Sequence, residues 1–158
     1  MNEVTAEQAE QKKQLYLQRV NQLYDDIKVW LKDEQLIVVP KAFEIVEVLG
    51  CYQGTLLTIQ SAKGKILAEI QPDGASVILA EGLIYINGWL GQEYLAYMVN
   101  GGPYSFRKSA KHKQEYVKHF FYPSIDADGW YWIDGIQENS AHTINKALLL
   151  KLISYVSE

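Results

Sequence analysis

The chain has 158 residues, 48% hydrophobic and 22% charged, with a net charge of −4 and a pI near 5.4. That length suits one globular domain with its own core, and the acidic balance excludes a general nucleic-acid coat, which needs a basic domain. The single cysteine, Cys51, excludes an intrachain disulfide and a multi-cysteine zinc site.

The first predicted element is a helix. Thr5 followed by Gln8 matches a capping box, and Glu7 and Glu10 place negative charge near the positive end of the helix dipole. Tyr16, Val20, Leu23, Ile27 and Trp30 recur at helical spacing on one face, and no Gly or Pro interrupts residues 5–35. That face predicts packing on a sheet or a seam with a second copy. The chain is therefore expected as a monomer or as a homodimer through Tyr16, Val20, Leu23, Ile27 and Trp30. Residues 1–14 are polar and are expected to project or fray. They lack the apolar stretch of a secretory signal, and no apolar run approaches the ~20 residues that span a bilayer. The expected setting is soluble and cytoplasmic, with no membrane contact.

After Pro40 the period changes to two. Extended segments are predicted at 43–50, 56–60, 65–70, 76–80, 83–88 and 92–99, with turns at 52–54, 62–64, 71–74, 81–82 and 88–91. Pro72 and Gly74 suit a type I turn over 71–74. Connections this short cannot hold the crossover helices of a parallel sheet, so an antiparallel meander is expected. Asn100-Gly101-Gly102-Pro103 breaks the meander. Residues 105–122 read as helix or strand. The preferred arrangement is a loop over 103–114 followed by a strand, with 130–134 as its partner. A last helix is expected with Asn139 or Ser140 as its cap and Ile144, Ala147, Leu148, Leu152 and Tyr155 as its buried stripe. The order predicts an α+β fold: an N-terminal helix, an antiparallel meander of about six to eight strands, and a C-terminal helix packed on one sheet face. The whole chain, 1–158, is expected to be a single domain.

The run Gly74-Ala75-Ser76-Val77-Ile78-Leu79-Ala80-Glu81-Gly82-Leu83-Ile84-Tyr85-Ile86-Asn87-Gly88 resembles one coil of the β-solenoid domain of bacterial septum-site inhibitors. The flanking sequence lacks the glycine-spaced repeats of a solenoid. The likeness implies a strand–Gly–strand pattern and carries no function over.

Charge is segregated along the chain. Between residues 103 and 122 lie Arg107, Lys108, Lys111, Lys113 and Lys118 against one acid, Glu115, with Tyr104, Phe106, Tyr116, Phe120, Phe121 and Tyr122 among them. A basic, aromatic stretch on an acidic body predicts a contact surface for an acidic partner. The candidate binding residues are Tyr104, Phe106, Arg107, Lys108, Lys111, His112 and Lys113, together with Trp130 and Trp132. The two tryptophans alternate with Tyr131 and so share a strand face.

Catalytic motifs are missing. No G-x-S-x-G or phosphate-cradling G-x-x-x-x-G-K-[ST] occurs. His112 and His119 fit neither a short zinc pair nor an H-E-x-x-H helix. Asp126-Ala127-Asp128-Gly129 lacks the spacing of a calcium loop and reads as a tight turn. Cys51 has no electropositive sequence neighbours and is expected to be a buried or semi-buried structural thiol. No metal and no cofactor are expected. The leading expectation is a small bacterial cytoplasmic protein that acts by binding another protein, as an adaptor or an immunity-type inhibitor. The alternative is a small-molecule or nucleotide-binding module that clamps an anion with Arg107, Lys108, Lys111 and Tyr104. An enzyme built on His119, Asp126 and Asp134 is a third possibility. The acidic remainder repels phosphate and argues against a nucleic-acid partner.

Overall fold

Thr5 begins the first helix as its capping box predicts. Its hydroxyl accepts from the Gln8 backbone N–H at 3.1 Å, and Gln8 Oε1 accepts from the Thr5 N–H at 3.0 Å. Two donors that a helix start leaves open are thereby satisfied. The computed structural model, which describes residues 5–111, 115–135 and 140–157, carries this helix, α1, over Ala6–Leu31. Tyr16, Val20, Leu23 and Ile27 are buried on it as expected; Tyr24 and Leu31 join them, and Trp30 is half-buried. These side chains are taken up by the core of the same chain. The two buried tyrosines also fasten the helix. Tyr16 Oη donates to Leu83 O at 2.5 Å, and Tyr24 Oη to Thr55 O at 2.7 Å. Burial pushes both phenols well above their usual range, so they stay protonated donors.

Among the described residues nine strands follow: β1 (Leu36–Glu47), β2 (Gly50–Ser61), β3 (Ile66–Gly74), β4 (Leu83–Asn87), β5 (Gln92–Met98), β6 (Tyr104–Lys108), β7 (Tyr116–Phe120), β8 (Gly129–Ile133) and β9 (Ala141–Thr143). The chain closes with α2 (Lys146–Val156). Seven strands form one antiparallel sheet in the order β1-β2-β3-β4-β5-β8-β9, and β6 and β7 form a separate two-stranded ribbon. The fold is α+β, with both helices packed against the sheet and against each other. Among the described residues no helix is long and apolar enough to cross a membrane.

Several expected boundaries move. The first strand begins at Leu36 and runs through Pro40, which is tolerated because β1 is an edge strand whose missing N–H faces no neighbour. The first turn lies at 48–49, followed by Gly50 at φ 116°, and residues 52–54 belong to β2. Residues 71–74 form no free turn: Pro72 pairs with Ile84 inside β3, and a bulge between Pro72 and Gly74 absorbs the lost donor. The predicted strand 76–80 is a turn closed by an isolated Val77–Ala80 bridge, with Leu79 left-handed at φ 68°. The solenoid-like run is therefore the end of β3, this turn and β4, all in an antiparallel meander.

The core lies between the helices and one sheet face. Ile59, Ile70, Ile84, Ile86 and Leu95 meet Leu23, Ile27, Leu149 and Leu152 there. Trp130 and Trp132 belong to this cluster, whereas Tyr131 joins a smaller one on the reverse face with Ala96, Met98, Ala141 and Ile125. The predicted alternation of the three aromatics thus holds. In the long β1–β2 hairpin the core-facing parity changes. Leu57 and Ile59 are buried near the body, but Ile45 with its cross-strand partner Tyr52 packs on the core nearer the tip. The strong twist of a long ribbon accounts for this. Cys51, next to Tyr52, is exposed rather than buried, because the pleat turns it and its partner Val46 to the face opposite Ile45 and Tyr52.

The last helix starts later than predicted. Its cap is Asn145, whose Oδ1 accepts from Leu148 N at 2.9 Å. Ser140 instead bonds through its carbonyl to Asp134 N, and Asn139 lies outside the described residues. The chain forms β9 before it can turn helical, which shifts the buried stripe to Leu149, Leu152, Ile153 and Val156. Ala147 and Tyr155 are left exposed.

Candidate interaction surface

The basic segment is a hairpin inserted between β5 and β8. Where a loop was expected over 103–114, residues 104–108 form β6, and 116–120 pair with them rather than with 130–134. The reason is competition for partners. β8 carries the buried Trp130, Tyr131 and Trp132 and gains more by lying between β5 and β9 inside the large sheet.

The hairpin leaves the sheet through three consecutive left-handed residues, Asn100, Gly101 and Gly102 (φ 54°, 84° and 83°). Glycine adopts this backbone at no steric cost. A Cβ at Gly101 would also lie 2.9 Å from the Phe120 ring. The Asn100 N–H donates to Asp128 Oδ1 at 2.9 Å, so the acidic turn at 126–129 braces the departing chain. On the return side Ile125 is buried in the reverse-face cluster, and Ser124 Oγ donates to Ala141 O at 2.9 Å. The base is pinned on both sides while the ribbon itself pairs with no strand of the sheet.

Register decides what the ribbon displays. Tyr104 opposes Phe120, Phe106 opposes Lys118 and Lys108 opposes Tyr116, and these six share one face. The other face carries Ser105 opposite His119 and Arg107 opposite Val117. On the first face the rings interlock. Tyr104 meets Phe106 edge-on at 5.5 Å and Phe120 at 5.7 Å, and Lys118 Nζ stands 4.5 Å from the Tyr104 ring centre. Much of this surface stays in water: Tyr104 is 44% exposed, Phe106 60% and Tyr116 62%. Among the described residues no carboxylate pairs with Arg107, Lys108, Lys111 or Lys118.

The predicted site residues therefore divide. Tyr104, Phe106 and Lys108 come together on one face. Arg107 points to the other, so it does not converge with Tyr104 on one ligand from the same side. Lys111 is exposed beyond β6. His112 and Lys113 lie outside the described residues. Trp130 and Trp132 are far less available, at 6% and 7% exposed, with their indole N–H groups committed to Arg19 O and Glu93 Oε2. Tyr116, Lys118 and Phe120 complete the face. They were visible as composition but not as neighbours of Tyr104 and Phe106.

A Ser–His–Asp grouping at β9 does not make a relay. Ser140 Oγ lies 2.8 Å from His142 Nε2, and Asp134 Oδ2 lies 4.0 Å from the same nitrogen. A triad needs the base and its orienting carboxylate on opposite ring nitrogens. Among the described residues no three His, Cys, Asp or Glu side chains are grouped to hold a metal. Comparisons with protein-family models, with curated proteins and with solved structures find no match.

Proposed function

We propose that this chain is a protein-binding module, of adaptor or immunity-inhibitor type, whose β6–β7 hairpin receives an acidic partner. One observation carries it: four rings and two lysines interleave on one hairpin face, and three of the rings, Tyr104, Phe106 and Tyr116, are exposed. Aromatic side chains bring large contact area at small entropic cost and dominate binding energy where they are desolvated. The lysines add steering toward an acidic surface and fix its register. The body of the chain is acidic, so the same partner is repelled elsewhere and docks in one orientation. An isolated two-stranded ribbon is marginal in water, so a partner that covers it also stabilises it. A cytoplasmic setting fits the exposed thiol of Cys51, which has no disulfide partner.

A photo-crosslinking side chain at Phe106, with one at the exposed Val48 as control, tests this in host extract. The expected result is an acidic protein crosslinked from position 106 and not from 48, and lost when Lys108→Glu and Lys118→Glu are introduced together. Identical products from both positions, or products indifferent to the charge reversal, would overturn the proposal.

A further inference from the structure

A cleft of about 520 Å³ opens between α1 and the β5–β8–β9 end of the sheet. Its volume lies within the range of small-molecule sites. Three rings wall it, those of Trp30, Tyr97 and Trp130, and Leu15, Leu23 and Ile144 supply aliphatic surface. Tyr97 and Trp130 stand edge-to-face at 5.3 Å and 83°, which holds both planes fixed.

Arg19 gives the cleft its chemistry. Its guanidinium carbon lies over the Tyr97 ring, 4.2 Å from the centre, and the group has no carboxylate partner among the described residues. Its carbonyl accepts the Trp130 indole N–H at 3.2 Å, which ties the residue to the ring beside it. A guanidinium seated over a ring face has N–H groups left over that can bond a carboxylate in a two-pronged contact. The other charge of the lining is Asp26. It lies seven residues along α1, about 10 Å away at the helical rise. Along α1 the cleft therefore presents its cation first, its one carboxylate about 10 Å on and the Trp30 ring beyond that, with Tyr97 and Trp130 facing them from the sheet.

We infer that this cleft is a binding site for a small planar aromatic monocarboxylate, with its carboxylate on Arg19 and its ring among Trp30, Tyr97 and Trp130. A second anionic group about 10 Å from the first would face Asp26. An α-amino acid would place its ammonium beside Arg19, too close to its own carboxylate to reach Asp26. The site is separate from the hairpin and independent of its role.

The test uses the full chain with 2-naphthylacetate as probe, followed by ¹H–¹⁵N NMR of the indole N–H groups. The expected result is a saturable shift of the Trp130 and Trp30 signals at roughly millimolar probe or below, with Trp89 unmoved. The neutral amide of the probe, and the acid on Arg19→Gln, should each bind about tenfold more weakly or worse. The amide comparison is made on the unmodified chain, so it decides even if the substitution loosens the fold. Equal binding of acid and amide, no shift at all, or the same shifts on concentrating the protein alone would each overturn the inference, the last by identifying the cleft as a self-docking surface.

Discussion

Lys118 and Tyr104 sit on neighbouring strands of the hairpin, two places out of register and so diagonal on one face, with the ammonium 4.5 Å from the ring centre. At an exposed site such a contact contributes about 0.5–1 kcal/mol. It also holds the lysine upright among rings rather than extended into solvent. Lys118→Glu should therefore cost no more than about 1 kcal/mol of stability, and abolish capture of an acidic partner. Phe106→Ala should also spare stability but weaken the complex by about 2 kcal/mol. Thermal denaturation beside affinity measurement separates the two effects.

Gly88 and Val156 show the opposite economy. A Cβ at position 88 would lie 2.2 Å from Val156 O, the same carbonyl that accepts from Leu90 N at 2.8 Å. Backbone cannot yield as a side-chain tip can. Gly88→Ala should unseat the C-terminus of α2 and cost about 2 kcal/mol or more. Chemical denaturation measures it, and a variant as stable as the parent would show that α2 shifts freely.

Thr58 is fully buried, and its hydroxyl has no hydrogen-bond partner among the described residues. A buried unpaired hydroxyl costs roughly 1–3 kcal/mol. Thr58→Val keeps the shape and the β-branched preference of a strand, so it should raise stability by about 1 kcal/mol. Unchanged or lower stability would mean that the hydroxyl is satisfied in solution.

Asp73 holds its proton to higher pH than a free aspartate, first because it is partly buried and then because Glu47 is near. Glu47 itself is anchored, accepting from Ala75 N at 2.8 Å, from Ser76 N at 2.9 Å and from the Tyr52 hydroxyl. With a raised folded-state pKa, the folded chain binds more protons than the unfolded one. Stability is therefore lost as pH climbs from the unfolded-state value, near 3.9, through the folded-state value. Asp73→Asn should melt higher than the parent at pH 7, with the advantage shrinking toward pH 4. A constant difference across that range would refute the linkage.

The features legible in the sequence are those decided within a few residues. The Thr5–Gln8 capping box depends on one turn of backbone, and the stripe from Tyr16 to Ile27 on a helical period. The alternation of Trp130, Tyr131 and Trp132 depends on the pleat of one strand. Where two local choices were equally good, neighbours decided. Both Ser140 and Asn145 can cap a helix, and pairing of β9 with β8 eliminated the first. Pro72 suits a turn, but a bulge beside β4 kept it in a strand.

The candidate surface divides along the same line. Segregation of five bases and six aromatics into residues 103–122 is covalent fact, carried by the chain in any conformation. Which of them face the same way is not. That depends on the register of Tyr104 against Phe120, which no local preference encodes, since a slip of one residue reverses every side chain at little local cost. The sequence alone determined periods, caps and the distribution of charge. The tertiary structure decided strand partners and therefore faces, because pairing energy is collected between residues far apart in the chain and only after the competing strands, β8 above all, have taken their places.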